Sequence, residues 1–221
     1  MYGKIVLVDL DKTIIDMNDQ LVESMSRLLA LLGKKVHRQM LERTTNLYGY
    51  LASLGIMADN LDFWRRFNEI DNRMEGISKK LVRLFPDSIE FLEVVSGYKS
   101  AVVSDTPWCK AEPEITFFNL AKYFNVFSHW DESKLGRGKP DPLLAIEAIE
   151  KLGYEGEKIY FVGDDLADIK CAQNLEAYLN SEKNLSVRIT KIHVKRSGLC
   201  LHGADITVPS LGYAADIIKY D

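Results

Sequence analysis

Apolar positions fall into three regimes along the chain. Lys4 to Leu10 reads KIVLVDL, a short continuous Ile/Val/Leu run ending in acid, which is the pattern of a parallel strand buried on both faces. From about Asn18 to Leu84 the spacing becomes helical. Leu21, Met25, Leu28 and Leu32 recur at helical steps before Gly33, and Leu47, Leu51 and Leu54 do so before Gly55. Asn60 is placed to cap a third helix that carries Trp64, Phe67, Ile70 and Met74 on one face ahead of Gly76. Strand-like runs return at Ser100 to Ser104, Val126 to Trp130, Lys158 to Val162 and Ile189 to Val194. Helical patterns such as Leu143, Ile146, Ile149 and Leu152 before Gly153 separate them. Strand alternating with helix predicts an α/β fold with an open, doubly wound, Rossmann-like parallel sheet, interrupted after its first strand by an all-helical insertion. Ligands of such sheets bind outside the carboxyl ends of the strands.

Composition narrows the function classes. A chain of 221 residues is long enough for one large domain or a domain with an insertion, and 47% hydrophobic with 27% charged residues excludes a disordered or fibrous chain. With Lys plus Arg at 28 against Asp plus Glu at 32, no bulk field attracts a phosphate backbone, so nucleic acid is not an expected partner. Apolar runs such as Ile5 to Val8 and Ala101 to Val103 stop far short of the roughly 20 residues a membrane helix needs. Met1 to Lys4 leads straight into the first strand without a secretory h-region, and Cys109, Cys171 and Cys200 are too few and too scattered for a disulfide frame. The expected compartment is the cytoplasm. Cys200 with His202 lacks a second pair of soft ligands, so it reads as an apolar filler beside a surface imidazole.

The chemistry gathers at strand ends. DLDKT places Asp9 at the end of the first strand, Asp11 two residues on, and Thr13 after it. KIYFVGDD delivers Asp164 and Asp165 from another strand, with Asp168 one helical turn beyond Asp164. An isolated DxD is also what a turn with an Asp cap produces, and Asp in a first helical turn complements the macrodipole. Acids at the ends of two separate strands call for more: ionised carboxylates that lose water need a cation or donors, and a hard divalent ion with oxygen ligands, magnesium above all, is the natural complement. SAVVSD ends a third strand at Ser104, and GRGKPDP sets Lys139 just before a helix start. Taken singly, Ser104 reads as a turn residue and Lys139 as a solvated loop lysine.

In this order the residues resemble the haloacid dehalogenase superfamily, whose four motifs are a strand ending DxDx[TV], a strand ending in Ser or Thr, a Lys, and a strand ending GDxxxD. The match runs over nearly the whole chain, and the forms around Lys139 and in FPDSIEFLE are also similar to it. The resemblance implies a catalytic core at 1–17 and 85–221 with a helical cap at 18–84. It implies Asp9 as the nucleophile of an aspartyl-phosphate mechanism and Asp11 as general acid and base. Ser104 and Lys139 would hold the phosphoryl group. Asp9, the backbone carbonyl of Asp11 and Asp164 would bind magnesium, with Asp168 behind them. Three positions depart from the family pattern: Lys12 and Glu176 stand where Gly is common, and Asp105 where Asn is.

The expected activity is a magnesium-dependent phosphatase acting on a small phosphorylated metabolite. A phosphomutase shares every one of these groups; a haloacid dehalogenase needs neither Asp11 nor the metal; a non-catalytic binding protein could keep the scaffold. Within the insertion, Arg43, Tyr48, Trp64 and Arg65 could meet a substrate, although the spacing of Trp64 to Phe67 suits packing among the helices. The segment Asn180 to Arg196, with Arg188, Lys191, Lys195 and Arg196, reads as a solvated edge strand, since charge protects exposed edges.

Overall fold

The computed structural model describes residues 3–43, 47–57, 60–73, 82–131, 137–196 and 202–221. Contacts divide the chain into two units, Met1–Ile15 with Leu84–Asp221, and Asp16–Arg83. The larger unit is built on a parallel sheet. Its strands are β1 (Lys4–Val8), β4 (Lys99–Pro107), β5 (Val126–Trp130), β6 (Lys158–Gly163), β7 (Ile189–Val194) and β8 (Ile206–Val208), in the spatial order β5-β4-β1-β6-β7-β8. The sequence starts in the middle of this sheet and winds outward both ways, as a doubly wound fold requires.

Alternation along β1 explains why the strand is apolar throughout. Ile5 and Leu7 join a core with Ala101, Val103, Ile159 and Phe161, against which α7 (Leu143–Leu152) and α8 (Leu166–Ser181) pack Leu144, Ile149, Ala172 and Leu175. Val6 and Val8 point the other way and are fully buried. Buried residues of α5 (Ser88–Val95) and α9 (Leu211–Tyr220), two helices packed on each other, include Phe91, Leu92, Ala214 and Ile218. The chain also carries α6 (Trp108–Phe117), just after β4. In-register pairing aligns Val8 with Val102 and Val162, so Asp9, Ser104 and Asp164 all emerge at the carboxyl edge.

The smaller unit is helical: α1 (Asn18–Leu31), α2 (Arg38–Arg43), α3 (Leu47–Ser53) and α4 (Leu61–Arg73). Val22, Met25, Leu28, Leu29, Leu51, Phe63 and Phe67 form its core, with Trp64 packed edge-on against both phenylalanines. Leu32, expected on the apolar face of α1, lies past the helix end and is 37% exposed. Asn60 caps α4 by accepting from the Phe63 N–H at 3.0 Å. Gly33 and Gly55 follow their helices with φ of 71° and 80°, the left-handed stops read from the sequence. Met74, Gly76 and Cys200, and the side chains of Arg43 and Tyr48, lie outside the described residues. The chain passes between the units at two short strands that pair, β2 (Ile15–Asp16) and β3 (Arg83–Leu84). No helix among the described residues is long and apolar enough to cross a membrane.

The basic segment differs from expectation. Its first residues extend α8, and β7 lies inside the sheet between β6 and β8. Lys191 is 7% exposed and pairs with Glu176 at 3.1 Å and Asp205 at 3.0 Å, and Glu176 also accepts from the Ile189 N–H at 2.7 Å. Charge here ties α8 to β7, so Glu176, where the resemblance has Gly, is a structural tie. The sequence could not show that β8 would cover the edge.

Candidate active site

Asp9 leaves β1 with its N–H bonded to the Val162 carbonyl at 2.9 Å, which sets its side chain beside the end of β6. It is 5% exposed. One carboxylate oxygen accepts from Lys139 Nζ at 2.5 Å, the other from Thr13 Oγ1 at 2.8 Å. Thr13 Oγ1 also lies 3.2 Å from Asp164 Oδ1, so one hydroxyl joins the two acids. Lys139 Nζ reaches Asp168 Oδ1 at 2.7 Å, and Asp168 Oδ2 accepts from the Asp165 N–H at 3.0 Å. Asp165 itself is exposed and caps α8, accepting from the Ala167 N–H at 3.1 Å. Helix decoration accounts for Asp165, while Asp168 is fully buried and held on Lys139.

Asp11 and Ser104 meet through one residue. Thr106 donates its hydroxyl to Asp11 Oδ2, and its N–H to Ser104 Oγ at 3.1 Å. Ser104 accepts there through an oxygen lone pair, a role that does not use the hydroxyl proton. Asp105 accepts from the Lys139 N–H at 2.8 Å, fixing the backbone from which that lysine projects. Lys12 has φ of 62°, the left-handed region that favours Gly, the residue the resemblance has at this position.

Electrostatics follow from burial. Desolvation and the neighbouring Asp11 raise Asp9, although Lys139 pulls the other way. Burial with repulsion from Asp9 and Asp168 holds Asp164 well above the usual carboxylate range. Burial and Asp9 push Asp168 up to about 7 despite Lys139. Burial works against the charge of Lys139, but Asp168, Asp9 and Asp105 outweigh it and hold its pKa well above the ordinary value. Carboxylate oxygens of Asp9, Asp164 and Asp168 lie within 4.8 Å of one another. Lys139 supplies one positive charge against these three acids, so the donor set fits a hard divalent cation, which would lower all three pKa values at once.

Three contributors escaped the sequence reading. Thr106 is an ordinary hydroxyl until β4 and the β1 loop come together. His193, paired with Gly163 across β7 and β6, is buried; desolvation lowers its pKa against a backbone hydrogen bond with Asp164, and its Nδ1 lies 3.4 Å from Thr207 Oγ1. Arg196 donates to the Thr13 carbonyl from 183 residues away. Neither basic residue sits in a motif.

A family model described as haloacid dehalogenase-like hydrolase matches residues 6–179. A phosphorylated carbohydrates phosphatase of Thermotoga maritima is 26% identical over 177 residues, covering 76% of this chain and 80% of that protein. A phosphoglycolate phosphatase of Aquifex aeolicus is 27% identical over 174 residues, covering 77% and 80%. The solved structure of a haloacid dehalogenase-like family hydrolase from Streptococcus pneumoniae shares the fold, with a TM-score of 0.73 at 12% identity over 97% of this chain and 98% of that one.

Proposed function

Because this chain belongs to the haloacid dehalogenase-like hydrolase family, we propose that it is a magnesium-dependent phosphatase acting on a small phosphorylated metabolite. The observation that carries this reading is a buried aspartate at the end of β1, held by Lys139 and Thr13 and facing Asp164. Two relatives named for phosphorylated carbohydrates and phosphoglycolate support a small organic phosphate ester as substrate.

In the proposed reaction an Asp9 oxygen attacks phosphorus and the bond to the leaving alcohol breaks, while Asp11 protonates the departing oxygen. Water then attacks the aspartyl-phosphate, Asp11 takes its proton, and the Asp9–phosphorus bond breaks to release inorganic phosphate. Lys139 and Ser104 hold phosphoryl oxygens, and Thr106 aims the Asp11 carboxyl. Asp9, the Asp11 carbonyl and Asp164 would hold magnesium, with Asp168 anchoring Lys139. The bound cation supplies charge neutralisation for the approach of an anionic ester to an acidic site. The helical unit, inserted between the first two motifs, is proposed as the cap that selects the substrate. A cytoplasmic setting suits the free thiols of Cys109 and Cys171.

Purified protein incubated with a panel of phosphorylated metabolites should release phosphate with magnesium and lose that activity on chelation. Asp9→Asn should lower turnover by at least about 1,000-fold, since the amide is a poor nucleophile and a weaker ligand. Full activity in that variant, or no release from any ester by the wild type, would overturn the proposal.

A further inference from the structure

Thr13 donates one hydroxyl toward Asp9 and Asp164, so its backbone position decides whether these two acids share a donor. That backbone is held from just beyond β7, two strands away from β1 in the sheet. Arg196, two residues beyond β7, donates Nη2 to the Thr13 carbonyl at 2.8 Å. The same guanidinium forks onto Asp87, Nη1 to Oδ2 and Nη2 to Oδ1, each at 2.9 Å. Its carbon lies 3.8 Å above the centre of the Phe85 ring. Asp87 is fixed in turn by the Leu211 N–H at 2.8 Å. The next residue of the loop is held from the same side: the Ile14 carbonyl accepts from Ser88 Oγ at 2.8 Å and the Phe85 N–H at 3.1 Å. The Arg196 side chain is 12% exposed and its Nε is buried with no hydrogen-bond partner, so the terminal nitrogens alone make its directed contacts.

A guanidinium that spends its fork on Asp87 and its stacking face on Phe85 has one direction left for Nη2, and that direction ends on Thr13. A lysine at this place supplies a point charge and cannot make the fork and the carbonyl bond together. We infer that Arg196 is a positioning residue for the proposed phosphatase reaction, holding the loop from Asp9 to Ile14 so that Thr13 joins the nucleophile to Asp164. This rests on the proposed function, since it assigns Arg196 a part in that site.

The test compares wild type, Arg196→Lys and Arg196→Ala by three measurements: turnover of p-nitrophenyl phosphate, calorimetric titration of resting enzyme with magnesium, and thermal melting. Arg196→Lys should lower kcat by about 10-fold or more with KM within about 3-fold, and weaken magnesium binding several-fold, since misplacing a positioning contact costs rate without removing a substrate contact. Methylguanidinium at non-denaturing concentration should restore part of the lost kcat to Arg196→Ala and leave the wild type unchanged. Should Arg196→Ala fail to fold, Arg196→Lys carries the test alone. A folded Arg196→Lys enzyme with wild-type kcat and magnesium affinity overturns the inference, whatever its melting temperature. Wild type that binds magnesium but releases no phosphate from p-nitrophenyl phosphate or from any ester of the metabolite panel overturns the phosphatase reading and leaves the magnesium comparison to decide the role of Arg196. Wild type that does neither overturns both.

Discussion

A Cβ added at Gly163 would lie 2.5 Å from the Asp168 Cβ, a separation that real side chains do not reach, because β6 ends where the first turn of α8 folds back over it. The glycine is what allows Asp168 to stand behind Asp9 and still reach Lys139. Gly163→Ala is therefore expected to destabilise the protein by about 1–3 kcal/mol, the usual cost of overpacking. Activity should fall further than stability, as Asp168 is pushed off the lysine. Urea midpoints paired with phosphate-release rates check this, and an alanine variant with unchanged midpoint and rate would contradict the packing described. At this scale the acids were legible, because a carboxylate closing an apolar strand is costly and stands out. Thr106, His193 and Arg196 were not, since nothing in their neighbours along the chain distinguishes them from surface polar residues.

Between elements, Asp87 is the counterpart of Arg196 and ties the start of α5 to the end of β7 and the start of α9. Burial alone would raise its pKa, but hydrogen bonds from Arg196 and the Leu211 N–H outweigh burial and hold it below the ordinary 3.8. A carboxylate whose folded pKa is depressed stabilises the fold above its unfolded pKa, and that contribution is lost as pH falls through the folded value. Asp87→Asn should therefore cost about 2 kcal/mol at neutral pH, in the range of charged hydrogen bonds. The gap from wild type should close progressively below about pH 4. Urea denaturation of both proteins across that range checks the sign, and a gap constant with pH would show that packing, and not charge, is lost. The basic segment carries the same lesson. Lys191 and Arg196 looked like edge protection because sequence shows charge and period, whereas their burial depends on partners from α8, α5 and the segment before β8.

For the whole molecule, stability and cation binding are linked, because an ion that binds only the folded acids shifts folding by mass action. Magnesium at about 100 times its dissociation constant should add about 2.7 kcal/mol, which for a chain of this size raises the melting temperature by about 5–10 °C. Scanning calorimetry with magnesium and with chelator measures the shift, which Asp164→Ala should largely abolish; no shift in the wild type would remove the cation from the site. Sequence alone determined the alternation of strand and helix, five of the six strands of the sheet and the acids at its carboxyl edge. These depend on period and on the expense of ending a buried strand in charge, both written in neighbouring residues. Tertiary structure decided how the acids are shared. Lys139 bridges Asp9 and Asp168, Thr13 joins Asp9 to Asp164, and Arg196 holds Thr13 across 183 residues, so each bond depends on strand order and register that no local stretch of sequence specifies.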